Sequence, residues 1–296
     1  MRNRTGTTRI TTLLLITAAL ILAVACSEKE QPVEMPTEID FITDYDSALV
    51  LAEKNDKMVL LDFYATWCRW CKRLDSVTFT DSAVIALTED FVFAKIDVDI
   101  DSTTADKYSI QGLPTTVIAN ADGSEIERIG GFREPDSFVI IVDNYLAGIG
   151  TLDYYLEQAE TDPTVDVHYT LAEKYSDRGQ YEKALEHYES VMAADPEDTS
   201  GHAEEAMFSI GAVKLRLEEF DAAIDQFREF LKKYPEGDIA ERSQIYLAYT
   251  LRKKGDTTAA IKAYQDYLVM FPESDDSTKI RETIEKLKNP PPPEEE

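Results

Sequence analysis

Apolar residues change their spacing several times along this chain, and each change marks a different kind of element. A near-continuous apolar run at residues 10–25 is interrupted only by threonines. From 45 to 54 the apolar positions recur at helical intervals, and Met58-Val59-Leu60-Leu61-Asp62-Phe63-Tyr64 then reads as a buried strand. Strand-like runs punctuated by glycine continue to about Gly150. Beyond it the residues to about 288 are helix formers, with alanines and aromatics returning at a fixed interval. The last residues, 289–296, hold four consecutive prolines and three glutamates, cannot bury a core, and are expected to be extended or disordered.

The helical half repeats itself. Aligned on their closing prolines, Gly179-Gln180-Tyr181-Glu182-Lys183-Ala184 with Tyr188 runs to Pro196, Phe220-Asp221-Ala222-Ala223 with Phe227 to Pro235, and Gly255-Asp256-Thr257-Thr258-Ala259-Ala260 with Tyr264 to Pro272. In each copy a small alanine lets two helices approach, the aromatic four residues later fills the groove, and the proline breaks the chain before the next pair. Leu171, Ala172 and Tyr175, then Ile210 and Gly211, then Leu247 and Ala248 occupy the corresponding first helices. This half resembles tetratricopeptide repeats. Its spacing exceeds the family's period of about 34 residues, as in the longer-helix variants of bacterial envelope proteins. The resemblance implies an all-α solenoid over 151–288, with flanking helices near 152–160 and 276–287 and a face that holds a protein or peptide client. His168, His187 and His202 fall in this half and are expected on helix surfaces.

Composition narrows the partners. The formal charge is −27, and residues 1–25 hold Arg2, Arg4 and Arg9 and no acid, so a chain beginning at Cys26 would be more acidic still. Nucleic acid is excluded as a partner on that ground. The acids are scattered along predicted helices, as solvated faces are.

Three cysteines occur, Cys26, Cys68 and Cys71, which leaves no structural disulfide framework to build. Arginines followed by the apolar run form an export signal over 1–25. Ala23-Val24-Ala25-Cys26 resembles the lipobox of bacterial lipoproteins, with Ala23 where leucine is more usual. The resemblance implies lipidation of Cys26, a tether over 26–38 and a membrane anchor facing the periplasm; an uncleaved helical anchor or a plain secretory cleavage also places the remainder outside the cytoplasm.

The predicted strand 58–64 runs into Ala65-Thr66-Trp67-Cys68-Arg69-Trp70-Cys71-Lys72-Arg73-Leu74, whose later part favours helix. Cysteines at such a junction face the unpaired N–H groups and positive dipole end of the helix, which stabilise a thiolate. Cys68 is the expected nucleophile. Two intervening residues put Cys71 within reach of a mixed disulfide formed at Cys68, so Cys71 is the expected resolving thiol. A zinc site would need two further ligands at matching spacing, and Cys26, His168, His187 and His202 do not supply them; no metal or organic cofactor is expected. A buried carboxyl at Asp62 would have a raised pKa and could take the proton of Cys71, with Lys95 a candidate partner; an exposed strand-end aspartate is the alternative.

These residues resemble the active-site segment of the thioredoxin family. Ala94-Lys95-Ile96-Asp97-Val98-Asp99 resembles its central strand, Tyr108-Ser109-Ile110-Gln111-Gly112-Leu113-Pro114-Thr115 its cis-proline segment, and Ile129-Gly130-Gly131-Phe132 its last strand. Val77-Thr78-Phe79 and Gly131-Phe132 look nearest to the C-terminal domain of the transmembrane thiol-disulfide interchange proteins. The resemblance covers 39–148 and implies an α/β thioredoxin fold, a mixed sheet flanked by helices. It implies further that Pro114 is a cis-proline, and that Leu113, Pro114, Trp67, Arg69 and Trp70 meet the substrate. Arg69-Trp70 replaces the glycine and proline of many thioredoxins, which leaves the redox potential open. The expected function is a thiol-disulfide oxidoreductase at the envelope, acting on a protein disulfide and served by a redox partner. The alternative is a scaffold in which the repeats bind partners and the thioredoxin fold is not catalytic.

Overall fold

A computed structural model describes residues 36–289 of the chain. The expected export signal, Cys26 and its lipidation, most of the expected tether and the Pro/Glu tail beyond 289 lie outside the described residues. No helix among those described is long and apolar enough to cross a membrane.

The first part of the fold alternates helix and strand. Helix α1 (Tyr45–Asn55) starts at Asp44, whose carboxylate accepts the Ser47 N–H, and stops at Asp56 in the left-handed region. Strand β1 (Met58–Tyr64) is buried on both faces, as its unbroken apolar run requires. Helix α2 (Arg69–Arg73) widens into a π turn over Leu74–Thr78. Then come α3 (Ser82–Ala86), β2 (Phe91–Asp97), α4 (Ser102–Lys107), β3 (Thr115–Ala119), β4 (Glu125–Gly130) and α5 (Pro135–Leu146).

The sheet order is β2-β1-β3-β4. β1 lies parallel to β2 with Asp62 opposite Lys95, while β3 runs antiparallel to both β1 and β4. The mixed sheet matches expectation, with one correction. The strand containing Ala94 to Asp97 is not central: beyond it lies only an isolated bridge from Ile42 to Ala94, and β1 holds the middle. Apolar layers cover both faces. Phe79, Phe91, Phe93 and Phe138 pack on one, and Val59, Leu61, Phe63 and Tyr108 on the other.

The second part is helical throughout. Helix α6 (Leu152–Thr161) leads into three antiparallel pairs: α7 (Val165–Asp177) with α8 (Tyr181–Ala194), α9 (Ala203–Arg216) with α10 (Phe220–Lys233), and α11 (Asp238–Lys253) with α12 (Thr257–Met270); α13 (Ser277–Lys288) closes the stack. Ala184, Ala223 and Ala260 are fully buried, and Tyr188, Phe227 and Tyr264 fill the space beside them. At Gly211 the approach is closest, since a Cβ there would meet the Phe227 ring at 2.6 Å. The histidines depart from expectation. His168 and His187 are half-buried between α7 and α8 with their Nδ1 atoms 3.0 Å apart, and His187 stacks on Tyr175. His202 stacks on Tyr169 and bonds Asp166 at 2.9 Å. Tyr175, Tyr169 and the contact between His168 and His187 draw these rings in from the surface.

The two parts are joined by charge as well as by chain. β4 is the edge strand, and the C-terminal end of α7 covers it. Fully buried Glu127 binds Lys174 Nζ at 2.9 Å and the Arg178 guanidinium. Burial favours the neutral acid, but Arg178 and Lys174 outweigh it and hold the Glu127 carboxyl below its usual range. Arg128 donates to the Asp177 carbonyl at 2.6 Å and the Tyr108 carbonyl at 2.9 Å. The described residues, 36–289, accordingly fall in one compact unit.

Candidate active site

The strand-to-helix junction places both cysteines. β1 ends at Tyr64, Ala65 and Thr66 turn the chain, and Cys68 stands as N-cap of α2. Its Sγ accepts the Cys71 N–H at 3.1 Å, so the sulfur sits where the helix presents an unpaired donor. Cys68 and Cys71 are joined as a disulfide. Cys68 is 5% exposed and Cys71 1%, which leaves the first sulfur the more accessible. Tyr64, Val98 and Leu113 pack against the pair. The Leu113–Pro114 bond is cis, in the loop before β3 whose Leu113 packs against the pair.

Asp62 lies on β1, two residues before its end, and is fully buried; it is not the exposed strand-end aspartate of the alternative reading. Neither of its carboxylate oxygens has a hydrogen-bond partner. Lys95, its neighbour across the parallel pair, approaches Oδ2 only to 3.5 Å and instead hydrogen-bonds Asp75. Burial pushes the Asp62 carboxyl up to about 7; Lys95 opposes that shift, and the charge on Asp75 adds to it. Such a group exchanges protons close to neutral pH. Asp75 is the residue that sequence reasoning missed. It follows Cys71 by one helical turn, which is a visible signal, but its reach to Lys95 depends on the wide π turn at Leu74–Thr78.

The rim carries the tryptophans. Trp67 is 69% exposed and donates its Nε1 hydrogen to Asp99 at 2.9 Å; Trp70 is 50% exposed and stacks on Phe132 at 5.9 Å. Neither fills the core. Arg69 lies over Trp70 at 5.8 Å, and Arg73 lies over Phe132 at 4.7 Å while pairing with Glu134. The mouth of the disulfide is thus aromatic and cationic on a strongly acidic chain. The structure brings Cys68, Cys71 and Leu113 into contact, with Pro114 next along the chain from Leu113 and Trp67, Arg69 and Trp70 exposed within the motif itself. Among the described residues no group of His, Cys, Asp and Glu is arranged to hold a metal ion.

Comparison with known proteins gives three family matches: thioredoxin over residues 42–144, tetratricopeptide repeat over 165–198, and an outer membrane lipoprotein family over 200–281. The thiol:disulfide interchange protein DsbD of Ralstonia nicotianae is 33% identical over 103 residues, which are 33% of this chain and 17% of that protein. The chain spans less than a fifth of the length of such relatives. Thioredoxin of Chlamydia trachomatis is 33% identical over 88 residues, 30% of this chain and 82% of that protein. Among solved structures, a putative disulphide-isomerase from Bacteroides thetaiotaomicron is 30% identical and covers 37% of this chain and 94% of its own, with a TM-score of 0.34. With the relative from Chlamydia matched over most of its length, and with the thioredoxin family matching residues 42–144, where the strand, cysteine pair and cis-proline lie, this chain belongs to the thioredoxin family, to which it adds a domain of tetratricopeptide repeats.

Proposed function

We propose that the chain is a thiol-disulfide oxidoreductase of the cell envelope that reduces disulfides of protein substrates. The observation that carries this reading is the placement of Cys68: the less buried cysteine of the pair, at a helix N-cap, bonded to Cys71, with Leu113 of the cis-Pro114 loop packed against them. In the dithiol form the Cys68 thiolate attacks one sulfur of the substrate disulfide, making a mixed disulfide and expelling the other substrate sulfur as a thiolate. Cys71 then gives up its proton and attacks Cys68 Sγ, which reforms the Cys68–Cys71 disulfide and releases the second substrate thiolate. Two electrons pass from the protein to the substrate, and a dithiol redox partner must restore them.

Asp62 is the group assigned to take the proton of Cys71. Its carboxyl is held near pKa 7 by burial, so it can accept that proton and release it without a large penalty. Leu113, Pro114, Trp67, Arg69 and Trp70 form the docking rim, and the repeats recruit the client. The reducing direction is our own reading of the resemblance to the interchange proteins, whose names give exchange alone.

The envelope location rests on the lipobox-like Ala23-Val24-Ala25-Cys26, on the interchange relatives and on the match of residues 200–281 to an outer membrane lipoprotein family. Cys26 carries the proposed lipid anchor. Mass spectrometry of the membrane-bound protein tests that part: a diacylated N-terminal cysteine is expected, and an unmodified Cys26 on an intact N-terminus would end it. The exchange reading is tested by trapping. Cys71→Ser should accumulate client proteins disulfide-linked to Cys68, and a Cys68→Ser, Cys71→Ser double variant that retained full activity would leave only a scaffold role.

A further inference from the structure

The segment that carries Leu113 to the disulfide is held in part from the repeats. Residues 108–114 leave α4 through Ser109, which stands in the left-handed region at φ +51, and the amides of Ser109 and Ile110 return to α4 carbonyls. At the far end the Thr115 hydroxyl donates to the Gly112 carbonyl at 2.8 Å, and the Gly131 amide donates to the Pro114 carbonyl at 2.8 Å. At the near end the Tyr108 carbonyl accepts from the Arg128 guanidinium at 2.9 Å.

Arg128 is buried on β4 and joins three partners. Its guanidinium donates to the Glu125 carboxylate, to the Tyr108 carbonyl and, at 2.6 Å, to the Asp177 carbonyl at the end of α7. A guanidinium holds its donors in one rigid plane, so these two carbonyls, one from each part of the fold, take up a fixed spacing. The same two segments meet again one residue on. Gly179, at φ +67 in the turn after α7, leaves so little room that a Cβ there would stand 3.0 Å from the Ser109 side chain. Arg128 and Asp177 also line one cleft with residues 111–115. Helix α7 is in turn pinned by the pairing of Lys174 and Arg178 with buried Glu127, and breaking such a pair is costly, so this wall does not swing away.

We infer that Arg128 is a positioning residue for exchange: backed by the α7–α8 turn, it sets where residues 108–114 lie at the disulfide, so that the repeats help to shape the seat of a polypeptide substrate. This deepens the exchange reading above and rests on it. Cys68 takes its own position from the end of β1 and the first turn of α2, with β3 between β1 and the strand of Arg128. Attack by its sulfur is therefore independent of the Arg128 contact, whereas the seating of a peptide across Leu113 and Pro114 is not.

The test uses the reduced full chain in single-turnover exchange with two substrates, a short peptide closed by one disulfide and glutathione disulfide. Arg128→Lys keeps the charge beside Glu125 but cannot fork to both carbonyls. Gly179→Asn pushes on Ser109 from the repeat side, with a residue that tolerates the left-handed region. Gly255→Asn is its control, since Gly255 has φ +92 in the corresponding turn between α11 and α12 and open space around it. In Arg128→Lys and Gly179→Asn the second-order rate for the peptide, relative to that for glutathione disulfide in the same protein, should fall by about fivefold to tenfold. That is less than the full worth of a charge-assisted hydrogen bond, because the segment keeps its bonds to α4 and β4. The fall should lie in the half-saturating peptide concentration, with the limiting rate unchanged, and Gly255→Asn should keep the parent ratio.

An unchanged ratio in Arg128→Lys, or a fall confined to the limiting rate, overturns this inference alone. A fall in Arg128→Lys with none in Gly179→Asn, or an equal fall in Gly255→Asn, overturns the part given to the repeats. If Arg128→Lys does not fold, the comparison of Gly179→Asn with Gly255→Asn decides. Failure of the parent to reduce either substrate overturns the exchange reading as well.

Discussion

The two halves of this chain leave different kinds of polar group unanswered in their interiors. In the thioredoxin part, charge is taken into the interior and only partly answered. Asp62 is fully buried with no hydrogen-bond partner, and its neighbouring lysine is drawn to Asp75. In the repeats, the buried set is mostly alanine and aromatic, and what it leaves without a partner is neutral, the hydroxyls of Tyr234, Ser243 and Ser277. Gln244 donates to the Ala263 carbonyl across one helix pair, and Thr250 to the Tyr246 carbonyl one turn back. Stacked helix pairs bury their apolar faces against the adjacent element, which is how a solenoid gains stability unit by unit. An unanswered buried carboxyl costs stability and persists where its altered proton affinity has a use. The contrast locates chemistry in one half and shape in the other.

The contrast can be broken most completely at the cysteines. Cys68→Ser should abolish disulfide exchange and leave the melting transition of the repeats in place; loss of folding throughout would contradict the division of labour. Next comes the joint between the halves. Glu127→Ala leaves Lys174 buried without its carboxylate and Arg178 with Glu125 alone, and should cost about 3–5 kcal/mol. Calorimetry should then show the single transition of the parent separating into two. One unchanged transition would mean that the joint contributes little.

Asp62 sharpens the chemical side. Its raised pKa means that the unfolded chain loses this proton near pH 4 while the folded chain keeps it until about 7, so its burial penalises folding increasingly as pH rises through that window. Asp62→Asn should therefore be stabilised at pH 8, by about 2–4 kcal/mol, with the gain vanishing below pH 4. The same variant should exchange more slowly and lose an inflection near pH 7 in its rate profile. A stability gain without a kinetic change would assign Asp62 no part in proton transfer. The smallest expected effect lies in the repeats. Gly211→Ala drives a methyl into the Phe227 ring and should cost about 1–3 kcal/mol, with no change in exchange by the disulfide.

What the sequence reveals follows the same division. The helix pairs were legible because alanine, aromatic and proline recur at fixed offsets, and local spacing is all that such packing needs. The cysteine pair and Pro114 were legible because strand, turn and helix signals bracket them. The capture of Lys95 by Asp75 was not, since it depends on the π turn after Cys71 rather than on any spacing. Nor was the cover that Lys174 and Arg178 of α7 give to β4. It links residues some fifty positions apart across two folds, and each alone reads as a solvated surface charge. The inward placement of His168 and His187 escaped for a related reason: their rings are drawn in by each other and by Tyr175, which a single-helix pattern does not show.

The reduction potential of the Cys68–Cys71 pair, measured on the full chain in detergent by equilibration with glutathione, tests the central claim most directly. The account predicts a reversible two-electron couple close to that of thioredoxin, at about −270 mV. A value close to about −120 mV, that of a strong oxidant, would contradict the reducing direction, and the absence of any reversible couple would contradict thiol-disulfide exchange by this chain altogether.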